Sequence, residues 1–179
     1  MALQEQKVEE AISHYKMAIK LRPTHAKAHY NFGNALSAER KIEEAISHYK
    51  MAIKLNPDYA VAHNNLGNAL SAERRNEEAI SHYKMAIQLT PDFAAAHNNL
   101  GNALSAERKI EEAIYHYKMA IELKPGYAEA HYHLGNILVQ TGEIKEAVGH
   151  YRETLRLKPN FVLAQKNLES VLPLLQALE

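Results

Sequence analysis

Proline recurs at positions 23, 57, 91, 125 and 159 and glycine at 33, 67, 101 and 135, so a single interval of 34 residues runs through the chain. No other feature limits the fold as severely, because a short unit repeated in tandem buries its apolar face against its neighbours. Full units cover 26–59, 60–93, 94–127 and 128–161, with a partial unit at 1–25 and a tail at 162–179. Between 60–93 and 94–127, 26 of 34 positions are identical.

Within the second full unit, His63, Leu66, Gly67 and Leu70 fall at spacings that place them on one face of a helix. Ala79, Tyr83, Ala86 and Ile87 do the same for a second helix, so the unit reads as a helical hairpin. Pro91 ends the second helix by disfavouring helical backbone in the residue before it. Asp92, with Thr24, Asp58, Gly126 and Asn160 in the equivalent places, is expected to cap the helix that follows. Gly67 and Ala79 are small where the paired helices must approach closely. The segment HNNLGNALSAER, present at 63–74 and again at 97–108, spends helix propensity on three asparagines and a glycine. Gly costs about 1 kcal/mol and Asn up to about 0.7 kcal/mol against Ala, so something besides helix formation holds them there.

The pattern L-G-x-x-L, then A-x-x-x-Y-x-x-A, then P, at a period of 34, resembles the tetratricopeptide repeat. The resemblance implies an all-α protein, a right-handed α-solenoid of helical hairpins, whose first helices line a concave groove that binds protein or peptide. Two departures stand out. Where the family often carries an aromatic early in the first helix, this chain has His29, His63, His97 and His131. The glycine usual between the two helices survives only as Gly142, with Arg40, Arg74 and Arg108 elsewhere. If those arginines take a left-handed backbone, each costs about 1–2 kcal/mol. Residues 1–25 supply only a second helix, Val8 to Leu21, so the chain reads as beginning inside a repeat, as a fragment of a longer array would. The tail VLAQKNLESVLPLLQALE begins like another first helix but has Glu169 at the glycine position, and it is expected to act as a terminal cap. Leu174, Leu175 and Leu178 either pack on the last repeat or form an end that docks on another copy.

With His63, Leu66, Gly67 and Leu70 turned inward, the other face of that helix carries Val61, Asn64, Asn65, Asn68 and Ala72. The third unit repeats it with Ala95, Asn98, Asn99, Asn102 and Ala106; the first offers Lys27, Tyr30, Asn31 and Asn34, and the last Glu129, Tyr132, His133 and Asn136. By the family resemblance this is the groove face. An Asn side chain donates and accepts, so it can hold the backbone of an extended peptide without reading its side chains. The column Asn31, Asn65 and Asn99 resembles the asparagine ladder of the repeats of O-linked N-acetylglucosamine transferase and is assigned to ligand contact, with Tyr30 and Tyr132 towards the two ends. For Asn34, Asn68, Asn102 and Asn136 a structural role between helices is the stronger alternative, because Asn is common in that column across the family. Repeats that grip the C-terminal carboxylate of heat-shock chaperones need Lys and Asn in one unit, Asn in the next, and Lys and Arg in the third. Here Tyr30 with Asn34, then Asn65, then Ala95 with Asn99 occupy those places, and a shift by one unit substitutes Asn64, Glu129 and His133. The cationic pairs are missing, which argues against chaperone tails.

Eleven histidines raise the question of a metal. Nine fall in two columns: the core-facing set, and His14, His48, His82, His116 and His150 on the second helices. Each of the latter follows a glutamate by four residues, the spacing of a surface ion pair. Only His25 and His29, four apart, are placed to chelate together, and no metal or other cofactor is expected. No cysteine nucleophile, Gly-rich phosphate loop or H-E-x-x-H helix is present, so the chain does not read as an enzyme. Lys plus Arg equals Asp plus Glu at 21 each with no basic block, which argues against nucleic acid. No apolar run approaches the roughly 20 residues that span a bilayer. The expectation is a cytoplasmic scaffold that binds an extended peptide or partner segment. The alternatives are a head-to-tail assembling scaffold and the targeting arm of a larger enzyme.

Overall fold

In the computed structural model, residues 2–176 are described, with side chains from residue 9 onward. They form ten helices and, among the described residues, no strands: α1 Ala2–Leu21, α2 Ala26–Ala38, α3 Ile42–Leu55, α4 Ala60–Ala72, α5 Asn76–Leu89, α6 Ala94–Ala106, α7 Ile110–Leu123, α8 Ala128–Thr141, α9 Ile144–Leu157 and α10 Val162–Gln176. The chain divides into two compact units, Met1–Pro91 and Asp92–Glu179. In the first, α2 pairs with α3 and α4 with α5, while α1 packs on α2 and α3 on α4. In the second, α6 pairs with α7 and α8 with α9, while α7 packs on α8 and α10 lies on α9 and α8. Each unit is thus a stack of helical hairpins, the α-solenoid plan. The leading helix begins six residues before Val8. Among the described residues no helix is long and apolar enough to cross a membrane.

The glycine column has a more specific purpose than close backbone approach. A Cβ built on Gly67 would meet the ring of Tyr83 at 2.6 Å, and the same holds for Gly33 under Tyr49 and Gly101 under Tyr117. Each tyrosine ring occupies the gap that its glycine leaves and is buried to within a few per cent. Ala45, Ala79, Ala113 and Ala147, on the second helices, are fully enclosed, and leucines at 36, 66, 70, 100, 104, 134 and 138 complete the cores.

Both helix ends differ from the expectation in part. The residues before the first helices do not cap with their side chains: Tyr59, not Asp58, stands at the N-cap of α4, and Phe93, not Asp92, at that of α6, with no side-chain cap bond at either. Packing outweighs capping here, since the Tyr59 ring rests on Tyr30 with centroids 4.9 Å apart, and Phe161 rests on Tyr132 at the same distance. At the hairpin turns Arg40, Arg74 and Arg108 do adopt the left-handed backbone, each at φ 59°, where Gly142 has φ 85°. The turn is a Schellman motif: Lys41 N–H donates to Leu36 O at 2.9 Å and Arg40 N–H to Ser37 O at 3.0 Å.

Candidate functional site

The first helices carry a network of amide side chains whose orientation is set from inside the hairpins. Tyr49 OH donates to Asn34 Oδ1 at 2.9 Å, Tyr83 OH to Asn68 Oδ1 at 2.8 Å, Tyr117 OH to Asn102 Oδ1 and Tyr151 OH to Asn136 Oδ1, both at 2.9 Å. A hydroxyl that donates identifies the amide oxygen, so the NH2 of each of these asparagines lies on the other side. In the first unit Asn65 Nδ2 then donates to Asn34 Oδ1 at 3.0 Å and to Tyr30 OH at 3.2 Å, while Asn64 Nδ2 donates to Asn65 Oδ1 at 3.2 Å. The second unit repeats the arrangement: Asn167 Nδ2 donates to Asn136 Oδ1 at 2.8 Å and to Tyr132 OH at 3.5 Å. Asn65 and Asn167 therefore tie neighbouring first helices together. Among the described residues the NH2 groups of Asn34, Asn102 and Asn136, and the whole side chain of Asn31, make no hydrogen bond.

Two cavities open on this network in the same register. One of about 200 Å³ in the first unit is lined by Asn34, Ser37, Tyr49, Asn65 and Asn68. Its counterpart in the second unit, about 310 Å³, is lined by Asn102, Ser105, Tyr117, His133 and Asn136, each 68 residues further on, with Ala106, Ile137 and Gln140 added. His133 replaces Asn65 in that register; its ring lies over Tyr117 at 5.7 Å and 17°, and burial lowers its pKa, so it lines the cavity as a neutral imidazole. A larger hollow of about 610 Å³ lies between residues 158 and 163, where Val162 and Leu163 are exposed.

Of the residues read from the sequence as ligand contacts, Lys27 and Asn68 are exposed, and Tyr30, Asn31, Asn34, Asn65, Asn99, Asn102, Tyr132, His133 and Asn136 are half-buried. Asn64 and Asn98 are enclosed, 6% and 4% exposed. Asn98 Nδ2 donates to Asn99 Oδ1 at 3.4 Å, and Asn98 Oδ1 is buried without a partner among the described residues. Leu174 is exposed and Leu175 half-buried; Leu178 lies outside the described residues.

The histidine columns behave differently from their sequence reading. His29, His63, His97 and His131 are buried, and the second-helix histidines at 48, 82, 116 and 150 are their partners, in addition to the electrostatic attraction of the preceding glutamate at His48, His82 and His150. Nδ1 of His48, His82, His116 and His150 lies 3.0 Å from Nδ1 of the buried ring in the same hairpin. An ion-pair distance to the preceding glutamate occurs at His150 and Glu146, 3.9 Å. His29 has both ring nitrogens engaged, with His48 and with Pro23 O, so it is not available to chelate with His25. No group of three or more metal-binding side chains occurs among the described residues. Both members of a pair are 19 residues apart in all four hairpins, and that constant separation was the available signal.

Stacked two-helix units presenting equivalent first-helix side chains define an α-helical repeat scaffold. Family models make this specific: the TPR repeat model matches residues 2–39, 33–73, 74–107 and 106–142, and the tetratricopeptide repeat model matches 128–161. The chain belongs to the tetratricopeptide repeat family, and its class is that of protein-interaction scaffolds. No curated protein sequence matches it significantly. Among solved structures it is similar to MamA, at 25% identity and a TM-score of 0.80 over 87% of this chain and 91% of that one. Residues 41 to the end of MamA from Desulfovibrio magneticus RS-1 share 23% identity, with a TM-score of 0.79 over 89% and 90% of the two chains. YrrB, described as a TPR protein with an unusual peptide-binding site, shares 22% identity, with a TM-score of 0.75 over 91% and 84%.

Proposed function

We propose that the first-helix faces of each unit bind an extended peptide or flexible partner segment, and that amide donors, Asn34 in the first unit and Asn102 and Asn136 in the second, take carbonyl groups of the segment bound there. One observation carries this reading: tyrosine hydroxyls consume the oxygen of each of these amides, leaving an oriented NH2 beside a cavity in equivalent places of both units. Asn31 and Lys27 extend the polar face, and the cavities are sized for single side chains of the ligand. Asn65 acts from behind, because both its donors hold α2 to α4. Asn99, His133 and Tyr132 complete the surface in the second unit.

The test separates donor loss from unfolding. Asn34→Asp, Asn102→Asp and Asn136→Asp keep an oxygen for each tyrosine hydroxyl and replace the NH2 by a second acceptor. For a peptide selected on an array with the parent chain, affinity measured by fluorescence anisotropy falls at least tenfold in the triple variant while helical circular dichroism is unchanged. Unchanged affinity sinks the proposal.

A second reading, self-association through the last helix, draws on the exposed Val162, Leu163 and Leu174 of α10. Light scattering with and without residues 172–179 decides it: a loss of mass per particle on truncation, beyond that of the deleted residues, supports this reading, and a monomer in both opposes it.

A further inference from the structure

In four hairpins a buried histidine on the first helix meets a half-buried histidine on the second, Nδ1 to Nδ1 at 3.0 Å: His29 with His48, His63 with His82, His97 with His116, and His131 with His150. The ring centroids are 5.2–5.3 Å apart. That exceeds the nitrogen separation by nearly the full two ring radii, the maximum possible, so both nitrogens lie close to the line between the rings, lone pairs head-on. A metal held about 2.0–2.1 Å from each nitrogen would sit well off that line, where neither lone pair points. The geometry suits a shared proton.

The positions of the protons follow from a third group. His29 Nε2 lies 3.0 Å from Pro23 O, His63 Nε2 3.1 Å from Pro57 O, and His131 Nε2 3.1 Å from Pro125 O. A carbonyl only accepts, so in these hairpins the buried histidine carries its proton on Nε2 and offers Nδ1 as an acceptor. The second-helix histidine must then carry Nδ1–H, the less common tautomer of a free imidazole, and its Nε2 is left as the basic site. At His150 that Nε2 lies 3.9 Å from Glu146 Oε1.

We propose that each pair is an acid-operated latch: one shared proton closes the hairpin, a proton added at the outer Nε2 leaves it closed, and a second, on the buried Nδ1, sets two donors face to face and opens it. The protons come from solvent and no bond between heavy atoms changes. Opening frees the first helix at His29, His63 and His131 from the second helix of its hairpin while the bond from Nε2 to the proline carbonyl stays, and in α4 that residue directly precedes Asn64 and Asn65. Acid therefore loosens the face assigned above to ligand binding; this last step rests on that assignment, and the latch itself does not.

The surroundings oppose charging of the pairs. His29 and Glu44 face His48; His63, Lys50 and Glu78 face His82; His131, Lys118, Glu146 and Glu153 face His150. Burial is the leading cause that lowers the pKa of His48, His63, His82 and His150, and the partner histidine lowers it further for His48, His82 and His150; His82 is brought down to about 4. The glutamates act the other way, and for His150 the positive charge of Lys118 outweighs part of their effect.

Long-range proton–nitrogen correlation spectra at pH 7.5 test the latch without any ligand. Nε2–H on His63 with Nδ1–H on His82 is expected; Nε2–H on both overturns it. Thermal unfolding from pH 7.5 to 4.5 then compares the parent with His48→Gln, His82→Gln, His116→Gln and His150→Gln combined, in which an amide N–H replaces the donor but cannot titrate. The parent's Tm falls more than twice as far as the variant's, and equal falls overturn the proposal. Should the fourfold variant not fold, His82→Gln alone is compared for its own hairpin by amide exchange. With a peptide selected at pH 7.5, release as pH falls from 6.5 to 4 in the parent but not the variant supports the coupling to binding; retention in both overturns the coupling.

Discussion

Single residues set the margins of each hairpin, and the arginines at the turns show how. At φ 59°, Arg40, Arg74 and Arg108 each occupy a backbone region that costs a β-carbon-bearing residue about 1–2 kcal/mol. Glycine removes that cost but loses about 0.5–1 kcal/mol through the greater freedom of its unfolded state. The balance favours glycine: Arg74→Gly raises stability by about 0.5–1 kcal/mol, read as a higher urea midpoint at unchanged slope. The opposite holds about two helix turns back, in the hairpin core. Gly67→Ala gains about 1 kcal/mol of helix propensity, yet its Cβ would lie 2.6 Å from the buried Tyr83 ring. Overpacking against a ring that cannot move costs about 1–3 kcal/mol, so the variant is less stable, and the companion Tyr83→Leu in the same chain reduces the penalty. The sequence alone marked Gly67 as a place of close approach; that a tyrosine ring is what approaches depends on how the second helix is rotated, which spacing does not specify.

At the scale of the helices, the tyrosine that fills the glycine gap also reaches through to the outer face. Tyr83→Phe keeps the packing and removes the 2.8 Å bond to Asn68, a loss of about 1 kcal/mol by denaturant titration. Helix positions were legible from proline spacing and from the inward-facing repeats of histidine, glycine and leucine. The caps were not, because Tyr59 takes the N-cap place with its ring packed on Tyr30, where Asp58 would gain one hydrogen bond. The histidine pairs were hidden for a related reason. A glutamate four residues before each second-helix histidine suggests a local ion pair, whereas the stronger partner lies 19 residues back on the facing helix. The asparagine face was legible as a face, but not its division into an inner network and outward donors, since that depends on tyrosine hydroxyls from the second helices.

The molecule as a whole has a stability plateau bounded by its two buried titrating populations. On the acid side, His48, His63, His82 and His150 have folded pKa values below the unfolded value near 6.5. Their contribution is complete above that value and is lost as pH falls from about 6.5 towards the value of about 4 at His82. On the alkaline side, burial raises the phenol of Tyr49 to about 12 and holds those of Tyr83 and Tyr117 higher still. Unfolded, these three tyrosines ionise near pH 10, whereas folded they hold their protons, so stability falls as pH rises through 10 to 12. Chemical denaturation across pH 4 to 12 is expected to show a flat maximum between about 6.5 and 10. A maximum confined to one end would contradict the burial of one population.

The hydroxyl that fixes each amide also determines where this surface can change. Positions 34, 68, 102 and 136 are asparagine in every full repeat, and each answers a tyrosine below it. The column beside them reads Asn31, Asn65, Asn99 and His133, so it has already accepted a different side chain. One column works as fixed grammar and its neighbour as replaceable vocabulary. A library that retargets this scaffold would hold the first constant, keep Asn65 for its bonds to Tyr30 and Asn34, and vary the second column at positions 31 and 133.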